Sequence, residues 1–332
     1  MNVVITGGLG FIGAHLAAAM SNLGFKVDVV DSISDYYSRD LKLTRRAVLL
    51  AEIPEHQVHI FNLLDREEFR RLLKLKKPDI VIHLAAQAGV RLPIKDTYKY
   101  TEANLTSFSN VLQTVIECEV PEFLFASSSS VYGNSTLVPY SETTTGLEPI
   151  SFYGATKLSN EILAKSLTLG TKTKSRGLRF FTVYGPWGRP DMAYFRLAAN
   201  ALANIEFSKY GDGSVRRDFT FIADTVEGVV RLAKQLKQEK EGFFDVVNLG
   251  GGQPRSLNDL ILRFEEVSGC RIQVNQEGTA PGDVQITAAD SRYLKSLIDF
   301  QPMVELSTGV DIFYDWASRY KTSLKKWVED VT

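Results

Sequence analysis

Cysteine is scarce: Cys118 and Cys270 are the only two in 332 residues. No framework of disulfides can therefore support the fold, and a reducing cytoplasm is the expected setting. Both thiols fall in apolar, helix- or strand-like contexts and are expected to be buried. The four histidines, His15, His56, His59 and His83, share no ligand spacing with these cysteines, so no metal site is expected. Acidic and basic side chains nearly cancel, 39 against 38, which excludes a broad nucleic-acid or membrane footprint but permits a local basic pocket. No stretch approaches the roughly 20 apolar residues that span a bilayer. An apolar strand begins at Met1, so no leader is expected, and the protein is expected to be soluble and intracellular. Internal repeats and low-complexity tracts are also missing.

What is present is concentrated at the start. Met1 to Ile5 reads as a strand, and Thr6-Gly7-Gly8-Leu9-Gly10-Phe11-Ile12-Gly13 breaks it and opens a helix over Ile12 to Leu23. The first glycine suits a tight strand-to-helix turn, the next a close backbone approach to a pyrophosphate, and the last close packing of helix on strand. The helix N-terminus then offers N–H groups and a positive dipole end to phosphates. A second apolar run, Phe25 to Val30, ends in Asp31, a carboxylate placed to accept both hydroxyls of an adenosine ribose and to repel a 2′-phosphate. A dinucleotide site follows, for NAD rather than NADP.

Further along, strands alternate with helices of 10 or more residues, as βαβ units with right-handed crossovers require. The predicted elements are a basic amphipathic helix at 41–51, a strand at 57–61, a helix N-capped by Asp65, a strand at 78–84 ending in small residues, a long helix at 97–118 and a strand at 122–126. From about residue 190 the alternation weakens. The fold class is α/β, a doubly wound parallel sheet with a smaller C-terminal lobe. The expected division is a dinucleotide-binding domain over 1–189, with strands near 219–222 and 244–249 returning to it, and a mainly substrate-binding lobe over 190–332.

Chemistry gathers after the fifth strand. Ser127-Ser128-Ser129-Ser130 leads to Val131-Tyr132-Gly133, and Ser151 opens a helix carrying Tyr153 and Lys157. Residues four apart project from one helical face. A Tyr–Lys pair at that spacing is ordinarily a surface pair; behind a serine cluster at a strand end, in a chain with a dinucleotide turn, it reads as catalytic.

These motifs, with His83-Leu84-Ala85-Ala86, resemble the extended short-chain dehydrogenase/reductase family of nucleotide-sugar enzymes over nearly the whole chain. Asp35-Tyr36-Tyr37, Gln87-Ala88-Gly89-Val90-Arg91, Phe180 through Met192 and Arg217-Asp218-Phe219-Thr220 narrow the likeness to the UDP-glucuronate 4-epimerases, the Trp187-to-Met192 run being the most specific. The resemblance implies a Rossmann-type fold and transient oxidation of the sugar at C4 with NAD⁺. Tyr153 is then the base, its pKa near 10 lowered by the Lys157 ammonium, with Lys157 also a donor to the nicotinamide ribose. Ser128 and Ser130 hold O4, the register along the serine run staying open by one or two residues. The cofactor set is Gly7, Gly10, Phe11, Ile12, Gly13, Asp31, Asn62, Leu63, Leu84, Ala85, Ala86, Asn104, Tyr153, Lys157 and Phe180. Asn62 stands where the family often has Asp, and Ala223 replaces the first acid of an Asp-Asp pair.

The substrate set is Arg91, Ser129, Ser130, Thr182, Arg189, Arg217 and Asp283. A glucuronate oxidised at C4 is a β-keto acid, prone to lose CO₂, and a bidentate arginine would pin its carboxylate. Arg189 takes that part, the alternative being a loop arginine in a salt bridge. Arg217 contacts the UDP diphosphate or is an ordinary strand-edge charge; Arg91 serves the diphosphate or closes the pocket. A UDP-glucuronate decarboxylase, a neutral UDP-hexose 4-epimerase and a non-catalytic NAD-binding protein are the competing readings. The family likeness also implies a homodimer through a four-helix bundle of helices 97–118 and 151–169, in which Phe108, Leu112 and Leu163 are either interface or core.

Overall fold

A computed structural model describes residues 1–89, 96–278 and 284–331. Its centre is a seven-stranded, all-parallel sheet in the order β10-β6-β5-β4-β1-β2-β3. These strands are β1 (Asn2–Thr6), β2 (Lys26–Asp31), β3 (Val58–Ile60), β4 (Ile80–His83), β5 (Glu122–Ser128), β6 (Lys174–Phe180) and β10 (Phe244–Leu249). Their apolar runs have no polar alternation because helices cover both faces of a parallel sheet. Val3, Ile5, Ile80 and Ile82 lie in one buried cluster, and Val4, Val81, Phe123 and Phe125 in another. The crossover helices are α1 (Phe11–Asn22), α2 (Arg39–Leu49), α3 (Arg66–Lys76), α4 (Thr97–Tyr100), α5 (Ser107–Glu117) and α6 (Phe152–Thr168). Asp65 caps α3 by accepting from Glu68 N.

The order reverses between β1 and β4, and a ligand crevice opens beyond the carboxyl ends of strands at such a switch point. Here the turn after β1 meets the small-residue segment after β4. Gly7 has φ +69°, and a Cβ on it would lie 2.6 Å from Ala85 N. Only glycine fits there. The predicted helix over 97–118 runs as α4 and α5 joined by a π-helical stretch at Thr101–Thr106. That change of period turns Asn104 inward, and π-bulges of this kind recur at functional sites.

Beyond residue 181 come β7 (Thr182–Tyr184), α7 (Ala193–Ala203), β8 (Phe207–Tyr210), β9 (Arg216–Phe221) and α8 (Ile222–Leu236). They are followed by β11 (Pro254–Ser256), α9 (Leu257–Ser268), β12 (Val274–Glu277), α10 (Arg292–Ile298), α11 (Leu306–Arg319) and α12 (Lys321–Glu329). The segment 244–249 joins the main sheet as β10, but the segment 219–222 does not. It belongs to β9 and the start of α8, and β9 pairs with β7 and β11 in a separate three-stranded sheet. Asp218 explains its place: the buried carboxylate accepts from the Gly251, Gly252 and Ala289 amides, tying β9 to the C-terminal lobe. Phe108 and Leu112 are core. Both cysteines are free, yet Cys270 is exposed, because Gly269 ends α9 in the left-handed conformation and turns the chain outward. Among the described residues no helix is long and apolar enough to cross a membrane, and no cluster of metal-ligating side chains occurs.

Two imidazoles sit in this core without charge. Burial, helped by nearby Lys157, lowers His83 to about 3, and burial lowers His15 to about 4. Both values lie below 6.5, so the unfolded chain binds more protons as pH falls below 6.5. Stability is then fully present above that pH and is lost toward 4 and 3, by at most about 1.4 kcal/mol per pH unit for each group. His83→Asn should cost about 1–2 kcal/mol at pH 7 and flatten the acid limb of urea-unfolding stability against pH. An acid limb as steep as the wild type's would contradict this assignment.

Candidate active site

Five strand ends and the N-terminus of α6 supply the site. At its floor the dinucleotide turn is packed too tightly for any side chain, since a Cβ on Gly13 would lie 2.2 Å from Gly7 O. The N-cap of α1 is Gly10, with no side-chain cap and no acidic residue in the first turn, so the amides of Phe11 and Ile12 are left to an external anion. Asp31 accepts from Leu9 N at 3.0 Å through one carboxylate oxygen and from Ile33 N at 2.8 Å through the other. Each oxygen keeps acceptor capacity for a ribose hydroxyl. Leu84 and Ala85 lie against Gly7, and Ala86 continues the same partly exposed segment. Asn62, on the surface, accepts from Leu64 N, while Leu63 is buried. The residues present fit a dinucleotide.

Asn104 is buried and its side chain is fully engaged. It accepts from Gln87 N and donates to Gln87 O and to the Thr156 hydroxyl. Its visible part is therefore to hold the small-residue segment against α6. Phe180 pairs in register with Ser128 at the end of β5 and β6.

The serine run resolves by strand alternation. Ser127 and Arg179 are in register and both reach Glu161 on α6: the Ser127 hydroxyl donates to Oε1, and Arg179 donates bidentately at 2.9 and 2.7 Å. Ser127 is thereby excluded from the crevice. Ser128 falls opposite, near the Tyr153 phenol, and donates to Ser130 Oγ at 3.1 Å. Ser129 and Ser130 are partly exposed beside it. Ser151 caps α6 through Gly154 N, which fixes where Tyr153 begins its face.

Lys157 lies beside Tyr153, as its spacing predicts, and also ties α6 to β5. Its Nζ, buried with the rest of the side chain, donates to Ala126 O at 2.9 Å and lies 5.7 Å from the Tyr153 ring centre. One turn below the phenol, the ammonium bonds the strand, and burial lowers its pKa to about 8. Burial raises Tyr153 above its ordinary value; Arg189 and the Ser128 hydrogen bond pull it down but do not overcome that. Two cations therefore bear on the phenol: Arg189, whose charge pulls it down, and Lys157, whose Nζ lies over its ring.

Arg189 has a partner of its own. It donates through Nε and Nη2 to Asp191, at 3.0 and 2.5 Å, leaving Nη1 as the edge for a further anion. Tyr36 donates to the same carboxylate at 3.2 Å, and the guanidinium lies 5.9 Å from the Tyr36 ring centre. Burial pushes the Asp191 carboxyl up, but Arg189 outweighs it and holds it below the usual range. The salt-bridged alternative for Arg189 is thus what the ligand-free chain shows. Thr182 opens β7, partly exposed, and Arg217 lies on β9 with Nη1 donating to Arg216 O. Arg91 and Asp283 lie outside the described residues. Sequence reasoning gave no part to Glu161, Arg45 or Asp191. Glu161 had a signal, since it continues the Tyr153–Lys157 face by four more residues.

A dinucleotide turn at the switch point of a parallel sheet, faced by a tyrosine that a serine and an arginine address, defines a cofactor-dependent α/β enzyme fold. The chain belongs to the NAD dependent epimerase/dehydratase family, whose model matches residues 3–250. It is 37% identical to Protein CapI of Staphylococcus aureus, over 96% of this chain and 99% of that one. It is 35% identical to UDP-glucuronate 4-epimerase 4 of Arabidopsis thaliana, over 98% of this chain and 77% of that one. Among solved structures, UDP-glucuronic acid 4-epimerase from Bacillus cereus, in complex with UDP-glucuronic acid and NAD, superposes with a TM-score of 0.88 at 32% identity. That match covers 96% of this chain and all, 100%, of that one.

Glu161 offers a test of how the site is held. Glu161→Ala leaves the buried Arg179 guanidinium without its carboxylate, which should cost about 3–5 kcal/mol in urea unfolding at pH 7. A loss below about 1 kcal/mol, the scale of an exposed pair, would show that the pair does not brace the serine run.

Proposed function

We propose that the chain is a UDP-glucuronate 4-epimerase that interconverts UDP-glucuronate and UDP-galacturonate, with NAD⁺ as its resident cofactor. The observation that carries this reading is Tyr153 at the start of α6, with Lys157 Nζ over its ring and the Ser128–Ser130 pair beside it, at the strand ends that meet the dinucleotide turn. Relatives named UDP-glucuronate 4-epimerase support the choice of sugar. NAD⁺, when bound, supplies a reversible acceptor for the C4 hydride.

The Gly7–Gly13 turn and Asp31 hold the dinucleotide. Tyr153 takes the proton from O4 as C4 is oxidised and gives it back on reduction; Ser128 and Ser130 hold O4 and polarise the ketone. Burial raises the phenol above its ordinary value. A bound NAD⁺ would add a positive charge that favours the phenolate, as the Lys157 ammonium and Arg189 do. Inversion needs the 4-keto sugar to present its other face, so the pocket must grip the nucleotide and let the sugar turn. Arg189 pins the carboxylate throughout, assisted by Thr182 and the serine run, because a β-keto acid loses CO₂ when its carboxylate swings across the carbonyl plane. The lobe over 190–332 covers the UDP-sugar, with Arg217 at the diphosphate.

One observation favours a rival. Arg189 is already paired with Asp191, which weakens its grip on a substrate carboxylate and suits a decarboxylase. Product analysis by NMR after incubation with UDP-glucuronate and NAD⁺ separates the two. The expected result is a mixture of UDP-glucuronate and UDP-galacturonate, reduced about 10²–10⁴-fold in rate by Tyr153→Phe, with Arg189→Met diverting product toward a UDP-pentose. A UDP-pentose from the wild type would instead establish decarboxylation, and no turnover would leave the sugar assignment wrong.

The protein is further proposed to be a cytoplasmic homodimer. Its free thiols suit a reducing compartment, and Tyr98, Phe152, Ile162 and Leu169 leave apolar side chains exposed on α4 and α6 and at the end of α6. Sedimentation velocity should resolve a dimer; a monomer at micromolar concentration would sink this part.

A further inference from the structure

We propose that Arg45 is a positioning residue that couples the dinucleotide turn to the loop presenting Arg189, so that occupation of the cofactor site sets the geometry of the sugar site. What each site holds rests on the reading above; the coupling rests on hydrogen bonds. Arg45, on α2, is completely buried, and no carboxylate pairs with it among the described residues. Four neutral oxygens hold it instead. Nε donates to Trp187 O and Nη2 to Gly188 O, each at 2.9 Å, while Nη1 donates to Leu9 O at 3.2 Å and to the Tyr37 hydroxyl at 2.6 Å. The rigid five-donor fork of arginine can serve all of these at once, and a lysine cannot.

The Leu9 peptide is therefore gripped at both ends. Asp31, the ribose carboxylate, takes its N–H, and Arg45 takes its carbonyl. A continuous chain of direct hydrogen bonds runs from Asp31 through the dinucleotide turn and Arg45 to the two residues that precede Arg189. His15, on α1, adds a second brace by donating from Nε2 to Pro186 O at 2.9 Å, as the neutral ring must toward a carbonyl. Three consecutive carbonyls, at 186, 187 and 188, are thus held by side chains of the cofactor half. Trp187 sits between them at φ +62°, a left-handed conformation costly for a bulky residue, which persists only where surroundings over-determine it. A buried guanidinium bound only by neutral groups is an uncompensated charge. A dinucleotide held by the adjoining turn would bring its diphosphate charge to the segment that Arg45 braces.

The chain carries its own probe. Its three tryptophans are Trp187, Trp316 and Trp327, and the rings of Trp316 and Trp327 lie 5.1 and 6.3 Å from that of Trp187. Tryptophan emission therefore reports the cluster that this loop forms with α11 and α12. Titrating nucleotide-stripped protein with NAD⁺, without any sugar, should shift the emission maximum. Arg45→Gln should remove most of the shift while calorimetry shows NAD⁺ still binding, and Tyr37→Phe, which deletes one of the four bonds, should reduce it. Should Arg45→Gln fail to fold, Tyr37→Phe decides alone. No shift in the wild type, or wild-type shifts in the folded variants, would overturn the proposal. Because no sugar is present, a failure of the epimerase assignment leaves this result standing, and the reverse.

Discussion

The buried pair between Arg179 and Glu161 is the constraint on which the catalytic side of the molecule depends. It joins β6 to α6, and through Ser127 it reaches β5. Arg179 also donates to the Tyr132 hydroxyl, which donates in turn to Asn248 on β10, and Asn248 donates to Tyr140 O. Burial pushes Tyr132 up to about 12, with Arg179 opposing, so it stays neutral and can donate onward. A buried ion pair is weak evidence for stability in itself, because desolvation offsets most of the attraction. Its value here is specificity. With Ser127 taken by Glu161, strand alternation leaves Ser128 on the opposite face, the side of Tyr153.

Consequences follow along α6. Held against β5 and β6, the helix buries Lys157 under the site and leaves Tyr153 half-buried at its edge. Burial penalises both charged forms, lowering the lysine and raising the tyrosine. Burial therefore moves the Tyr153 phenol further from a base competent at neutral pH. An enzyme that must not act on its sugar before the cofactor is in place gains from this arrangement, since a positive ring beside the phenol supplies the missing attraction. Arg189 and Asp191 hold a balanced pair of charges on the opposite wall. A substrate carboxylate must then compete with Asp191 for that guanidinium.

Much of this architecture is legible in the sequence. The glycine spacing, Asp31 at the end of β2 and the alternation of apolar runs with helices place the sheet and its crevice, because a parallel strand buried on both faces has a distinctive composition. Asp65, Ser151 and Ser256 mark helix starts through side-chain caps that act locally. What sequence could not supply was non-local. The segment 219–222 reads as a sheet strand, but which sheet it joins is decided by Asp218 and the Gly251–Gly252 turn. Lys157 is one turn from Tyr153 by spacing, yet its ammonium goes to a carbonyl of β5 that no spacing rule reveals. Asp191 follows Arg189 by two residues, too close for a helical pair, and only the loop's irregular path makes it bidentate.

The central claim is that burial raises the Tyr153 phenol above its ordinary value and that the positive cofactor brings it down. It is tested most directly by ultraviolet difference titration of the phenol, wild type minus Tyr153→Phe, with and without saturating NAD⁺. The account predicts ionisation above pH 10 in the cofactor-free protein and well below it in the NAD⁺ complex. An identical midpoint in the two states would contradict it, and would mean that the protein alone sets the proton affinity of its base.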